Sequence, residues 1–146
     1  SRVGSNGVLG FVVLMILEWG LLLDLFVEPV FLLPAFFVMP IIARLMMTGA
    51  IALYPYAREE GMGKAFAKYT DARTVVCAVV ITLLLILPFG LPAVAALVVS
   101  VLFTAFFSNF VTKKLGGLTG DVYGAITTLN EGLVLLSFLV STAVLR

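Results

Sequence analysis

The sequence contains no histidine and only one cysteine, Cys77. Without histidine, the chain lacks the commonest general base and the commonest ligand of transition metals. A single cysteine excludes an intrachain disulfide and a cysteine-based zinc site, and its apolar neighbours indicate a small hydrophobic residue. Any metal ion must therefore be bound by oxygen atoms, which favours magnesium, manganese or calcium.

Charge is also scarce. Only 12% of the residues are charged, 62% are hydrophobic, and the formal net charge is +1. Ordinary soluble domains contain about 25% charged and about 45–50% apolar residues, so this composition indicates an integral membrane protein. The apolar runs recur to the C-terminus and are too long for a signal peptide. The nearly neutral charge argues against a nucleic-acid partner.

The apolar runs predict an all-α integral membrane protein, a bundle of about five transmembrane helices in a single domain, 1–146. Most of the runs reach the length of about 20 residues that crosses a bilayer. They cover residues 7–27, 31–53, 74–88, 91–110 and 122–145. A tight turn is expected at 87–92, and polar loops at about 54–73 and 108–120.

The distribution of lysine and arginine predicts the orientation. These residues lie before the first run, at Arg2, and in the loops at 54–73 and 108–120. With five helices, the three segments share one face, which the positive-inside rule places in the cytoplasm. The turns on the opposite face, near Glu28 and Pro88, contain no lysine or arginine.

A glycine-rich segment precedes the last helix. Its glycines allow close approach of the backbone to a ligand, and the helix that follows offers unpaired amides to an anion. On that helix, Asp121, Gly124 and Thr128 share one face and Glu131 flanks it, which predicts a site for a metal ion and a phosphorylated substrate. The residues leave a second interpretation open, in which small residues permit helix packing and Asp121 caps the helix.

Three ionisable residues, Glu18, Arg44 and Glu131, lie within apolar runs, where each costs about 2.5–3.5 kcal/mol. All three are about 15–17 Å from the predicted cytoplasmic helix ends, at 1.5 Å per residue. The shared depth predicts an ion pair of Arg44 with at least one carboxylate. The alternative is a snorkelling Arg44 and a Glu131 that faces a water-filled cleft. In the loop at 54–73, Arg58 and Lys64 are predicted to clamp an anionic substrate.

Three blocks of sequence carry a resemblance to a known family. They are SRVGSNGVLG at the start, YPYAREEGMGKAF in the loop, and TKKLGGLTGDVYGAITTLNE near the end. In wording and order they resemble the C-terminal part of the cobalamin synthases, the adenosylcobinamide-GDP ribazoletransferases. Arg44 matches an arginine in the helix before the second block, and the resemblance covers essentially all 146 residues.

The resemblance implies a magnesium-dependent membrane enzyme of the bacterial or archaeal inner membrane, with its active site facing the cytoplasm. A hydroxyl of α-ribazole, or of its 5′-phosphate, would attack the cobinamide-bearing phosphate of adenosylcobinamide-GDP and release GMP. Catalytic roles are expected for Asp121, Arg58 and Arg2, and magnesium is expected to bind Asp121 and Glu131. Residues expected to bind substrate or its phosphates are Gly116, Gly117, Thr119, Gly120, Arg44, Tyr56 and Lys64.

Two departures qualify the resemblance. The family's acidic HxDGLADxxDG-type motif is absent, and the chain begins at Ser1 rather than methionine. We therefore expect missing N-terminal helices, further metal ligands upstream of Ser1, and a fragment that is inactive alone. Glu18 stands where relatives often have lysine, which argues against a catalytic role. Alternative functions are a non-catalytic transport or assembly subunit and a CDP-alcohol phosphotransferase relative, and a homo-oligomer is left open.

Overall fold

Six α-helices make up most of the computed structural model, which describes residues 5–58 and 62–144. The predicted all-α class is confirmed, and the five predicted helices correspond to α1, α2, α4, α5 and α6. The sequence does not predict α3, because its eight residues lie in a loop rich in glycine and charge. The helices are α1 (Ser5–Phe26), α2 (Pro29–Leu53), α3 (Met62–Tyr69), α4 (Ala72–Ile86), α5 (Gly90–Leu115) and α6 (Gly120–Val144).

Four stretches of the described chain are long and apolar enough to cross a membrane: Gly7–Phe26, Pro29–Leu53, Ala72–Leu115 and Gly120–Val144. The third has 44 residues and contains two helices. A 3-10 turn at Leu87–Phe89 separates them, followed by Gly90 with φ +70°, a conformation that favours glycine. A cavity of about 220 Å³ is lined by α2, by the start of α4 and by the middle of α5. The lining residues of α4 and α5 lie at similar distances from the turn between them, so the two helices run antiparallel.

Helices α2 and α6 form the centre of the bundle and make its most extensive contact. Their facing sides bury Val38 and Ile42 of α2 and Val134 and Phe138 of α6. Helices α1 and α5 pack against α6, while α4 packs against α2. The core of the bundle is therefore the α2–α6 interface.

The loops that follow α2 and precede α6 are joined by a short parallel bridge between Tyr56 and Leu118. The Ala57 amide donates a 2.8 Å hydrogen bond to the Leu118 carbonyl, and the Leu118 amide donates one of 2.8 Å to the Pro55 carbonyl. The predicted loops at 54–73 and 108–120 thus meet at one end of the bundle. The second loop is shorter than expected, because α5 continues to Leu115 and ends at the left-handed Gly116.

Candidate active site

Gly116 and Gly117 shape the loop before α6. Gly116 has φ +77°, and its amide donates a 2.9 Å hydrogen bond to the Thr112 carbonyl, which closes the last turn of α5. A Cβ atom on Gly117 would lie 2.5 Å from the Pro55 carbonyl oxygen and 2.9 Å from the Ala57 nitrogen. The close approach predicted for these glycines is therefore made, at Gly117, to the chain's own loop rather than to a ligand.

The junction of the two loops brings Arg58 to Asp121. Arg58 Nη2 lies 3.6 Å from Asp121 Oδ2, and the two side chains are 54% and 69% exposed. Asp121 lies in the first turn of α6, which begins at Gly120, so it is not the N-cap residue. An exposed ion pair contributes only about 0–1 kcal/mol, so either partner can exchange the other for a ligand at low cost.

Tyr56 and Thr119, both predicted to bind substrate, have packing roles in the structure. The Tyr56 ring stacks on Tyr123 of α6, with centroids 6.3 Å apart. A Cβ on Gly63 would lie 2.5 Å from Tyr56 Cε2, so the ring also contacts α3. Thr119 is buried, and its carbonyl accepts a 3.0 Å hydrogen bond from the Tyr123 amide. These residues fix the loops that carry the charged pair.

A cavity of about 380 Å³ opens beside Asp121, between α2, α3 and α6. Met47, Ile51, Phe66 and Tyr123 supply most of its apolar wall, and Gly120 and Gly124 leave it open on the α6 side. The sequence did not predict these wall residues. The available signal was spacing, because Met47 lies three residues after Arg44 and Phe66 three residues after Gly63, each on one helical face.

The Arg44–Glu131 ion pair is confirmed. Arg44 Nη1 lies 3.2 Å from Glu131 Oε1, with the side chains 57% and 19% exposed. Glu18 of α1 packs nearby, with Cγ 3.7 Å from the position of a Cβ on Gly132. Arg44 does not join Arg58 and Asp121 at the loop junction, because Glu131 follows Asp121 by ten residues, about 15 Å along α6.

The described residues, 5–58 and 62–144, include no group of three acidic, histidine or cysteine side chains that could hold a metal ion. Asp121 and Glu131 are about 15 Å apart along α6, so one ion cannot bind both. The exposed Asp121 carboxylate could serve as the one protein ligand of a magnesium ion, since this ion usually keeps several waters and also binds substrate phosphates.

Two predicted basic site residues lie elsewhere. Lys64 is exposed on α3, and Arg2 lies outside the described residues.

Comparisons with known proteins point to one family. The model of the cobalamin-5-phosphate synthase family matches residues 1–139. An adenosylcobinamide-GDP ribazoletransferase of Clostridium acetobutylicum is 30% identical over 94% of this chain and 54% of its own length. Enzymes of the same name are 35% identical in Brevibacillus brevis and 36% in Caldanaerobacter subterraneus, over 93% and 95% of this chain and 55% of each relative. The chain thus spans about half the length of these curated relatives. No solved structure matches.

Proposed function

We propose that this chain, which belongs to the cobalamin-5-phosphate synthase family, forms part of an adenosylcobinamide-GDP ribazoletransferase. In the proposed reaction, a hydroxyl oxygen of α-ribazole, or of its 5′-phosphate, forms a bond to the cobinamide-bearing phosphorus. The bond from that phosphorus to the bridging oxygen breaks, GMP leaves with that oxygen, and the hydroxyl proton is released to solvent. The products are adenosylcobalamin, or its 5′-phosphate, and GMP.

The observation that carries this proposal is the Arg58–Asp121 pair at the loop junction. Arg58 is exposed and offers a planar fork of donors that matches two phosphate oxygens. It stands beside the N-terminus of α6, where unpaired backbone amides and the helix dipole favour negative charge. Phosphoryl transfer depends mostly on positioning and charge neutralisation, and both are available at this junction.

Asp121 is the proposed magnesium ligand within this chain. Once a phosphate draws Arg58 away, the Asp121 carboxylate is free to bind the ion directly or through water. Bound magnesium would neutralise charge on the phosphate oxygens and orient the donor. The remaining ligands are proposed to come from the half of the relatives' length that this chain does not span. Lys64 on α3 is proposed to add positive charge at the mouth of the cavity.

We place the junction on the cytoplasmic side of a bacterial or archaeal inner membrane. The support is the clustering of Lys113, Lys114, Arg58 and Arg73 at the end of the bundle where the two loops meet. The alternative function, a transport or assembly subunit, would explain the Arg44–Glu131 pair. It would not account for two loops hydrogen-bonded together so that an arginine and a carboxylate meet at a helix N-terminus.

The test is reconstitution of the full-length enzyme in lipid nanodiscs with adenosylcobinamide-GDP, α-ribazole and magnesium. We expect cobalamin and GMP to form in equal amounts, and formation of both to stop when α-ribazole or magnesium is withheld. A folded, reconstituted enzyme that forms no cobalamin under these conditions would overturn the proposal. Release of GMP without α-ribazole would indicate a hydrolase instead.

A further inference from the structure

The pairs Arg58–Asp121 and Arg44–Glu131 stand at two levels, about 15 Å apart along α6, on the surface where α2 and α6 meet. On α6, Gly124 and Thr128 lead from the first level to Glu131 along one helical face. On α2, Ile51 and Met47 lead to Arg44 in the same way. The cavity beside Asp121 already includes Ile51, Met47 and Gly124, and ends within one helical turn of Arg44. This surface is called the α2–α6 groove below.

Arg44 is only partly satisfied within this groove. Its guanidinium has five N–H donors, and among the described residues the one side-chain acceptor within hydrogen-bonding distance is Glu131 Oε1, at 3.2 Å. The Arg44 side chain is 57% exposed although it lies near the middle of a membrane span. A guanidinium facing hydrocarbon is costly, so a polar group against its open side stabilises it.

The charges of the pair restrict the chemistry of that group. An anion that approached Arg44 would be repelled by Glu131, and a cation that approached Glu131 would be repelled by Arg44. A neutral group that both accepts and donates suits both partners. A primary carboxamide does this, since its oxygen accepts from a guanidinium and its N–H donates to a carboxylate. Because it is uncharged, it also loses less hydration than an ion on entering the membrane.

We propose that the Arg44–Glu131 pair binds a carboxamide of the large substrate whose phosphate occupies the Arg58–Asp121 junction. This inference rests on the proposed function, in which the donor carries cobinamide, a corrin ring bearing carboxamides. The separation of about 15 Å between the two levels suits a ligand with a phosphate at one end and a broad amide-edged body at the other. The corrin ring of the substrate lies along the α2–α6 groove.

The test measures equilibrium binding of cobinamide, without GDP, to the full-length enzyme in nanodiscs. Arg44→Met combined with Glu131→Leu removes both polar groups without leaving an unpaired charge. We expect this variant to bind cobinamide about tenfold more weakly or worse, the loss expected for one or two hydrogen bonds to charged groups. The exchanged pair, Arg44→Glu with Glu131→Arg, keeps one donor and one acceptor and should restore most of the binding. Arg73→Met is the matched control and should bind as the wild type does.

Two further measurements separate the outcomes. Arg58→Met should weaken binding of adenosylcobinamide-GDP but not of cobinamide. If Arg44→Met with Glu131→Leu fails to fold, Arg44→Leu with Glu131→Met, which also lacks hydrogen-bonding side chains, replaces it with the same expectation. Wild-type cobinamide binding in these folded variants would overturn the carboxamide site, as would failure of the exchanged pair to restore binding. Neither result would contradict the proposed function, which is tested separately by cobalamin formation in the wild-type enzyme. A wild-type enzyme that makes cobalamin without measurable cobinamide binding also overturns the site alone.

Discussion

The Leu118 amide donates a 2.8 Å hydrogen bond to the Pro55 carbonyl, 63 positions earlier in the chain, and this contact holds two loops together. It forms only because Gly117 has no side chain at the point of contact. The Arg58–Asp121 pair follows from it, since the same junction places the end of one loop beside the first turn of α6.

Replacing Gly117 with alanine should destabilise this junction. The new Cβ would meet backbone atoms of Pro55 and Ala57, which cannot move aside as a flexible side chain can. We expect a loss of about 1–3 kcal/mol in the free energy of unfolding, typical of overpacking, measured by denaturation in detergent. Gly20→Ala is the control, because nothing lies within 4 Å of a Cβ there. Equal stability of the two variants would contradict the account of the junction.

Arg58 should be sensitive even to a conservative change. Lysine keeps the charge but loses the planar fork, so Arg58→Lys should raise the KM for adenosylcobinamide-GDP or lower kcat by more than about tenfold. Steady-state kinetics of the full-length enzyme check this, with Arg73→Lys as the control. Wild-type kinetics for Arg58→Lys would indicate that the YAREEG segment has only a structural role.

The Arg44–Glu131 pair should show strong coupling in stability. Arg44→Met alone leaves Glu131 without its partner inside the membrane, so thermal stability in detergent should fall. Adding Glu131→Leu should cost less than the sum of the two single changes, with a coupling energy of about 0.5–3 kcal/mol. Strict additivity in this double-mutant cycle would show that the two side chains do not depend on each other.

Asp71 should make the thermal stability of the protein depend on pH in the acid range. It caps α4, and its Oδ1 accepts hydrogen bonds of 2.8 Å and 2.7 Å from the Thr74 amide and hydroxyl. These bonds, the amide first, lower the pKa of Asp71 below its ordinary value. The stabilisation is therefore present above the unfolded pKa of about 3.9 and is lost as pH falls through the lower folded pKa. The difference in Tm between the wild type and Asp71→Ala should be full near pH 6 and shrink in strong acid. A difference that does not change with pH would exclude this linkage.

The helices were predictable because hydrophobic run length is a direct signal of membrane-spanning segments. The Arg44–Glu131 pair was predictable in part, since depth follows from counting residues. Depth gives no rotational phase, so the choice between Glu131 and Glu18 as the partner of Arg44 needed the structure. The bridge between the loops was not predictable, because backbone hydrogen bonds between Ala57 and Leu118 leave no side-chain pattern in the sequence.

The apolar wall of the cavity was not predictable for a related reason. Phe66 resembles one of many surface aromatics until α3 is known to form and to face α2 and α6. The glycines gave a clear signal of close approach but not of what approaches. For Gly117 the neighbour is the protein itself, and for Gly120 and Gly124 the adjacent space is open.

The central claim is that Asp121 acts in phosphoryl transfer, and Asp121→Asn in the full-length enzyme tests it most directly. The change keeps the shape of the side chain but removes the charge that pairs with Arg58 and is proposed to bind magnesium. Transfer from adenosylcobinamide-GDP to α-ribazole should be abolished, while the yield of folded protein and its Tm match those of the control Asp24→Asn. Transfer at a nearly normal rate in saturating magnesium would contradict the account.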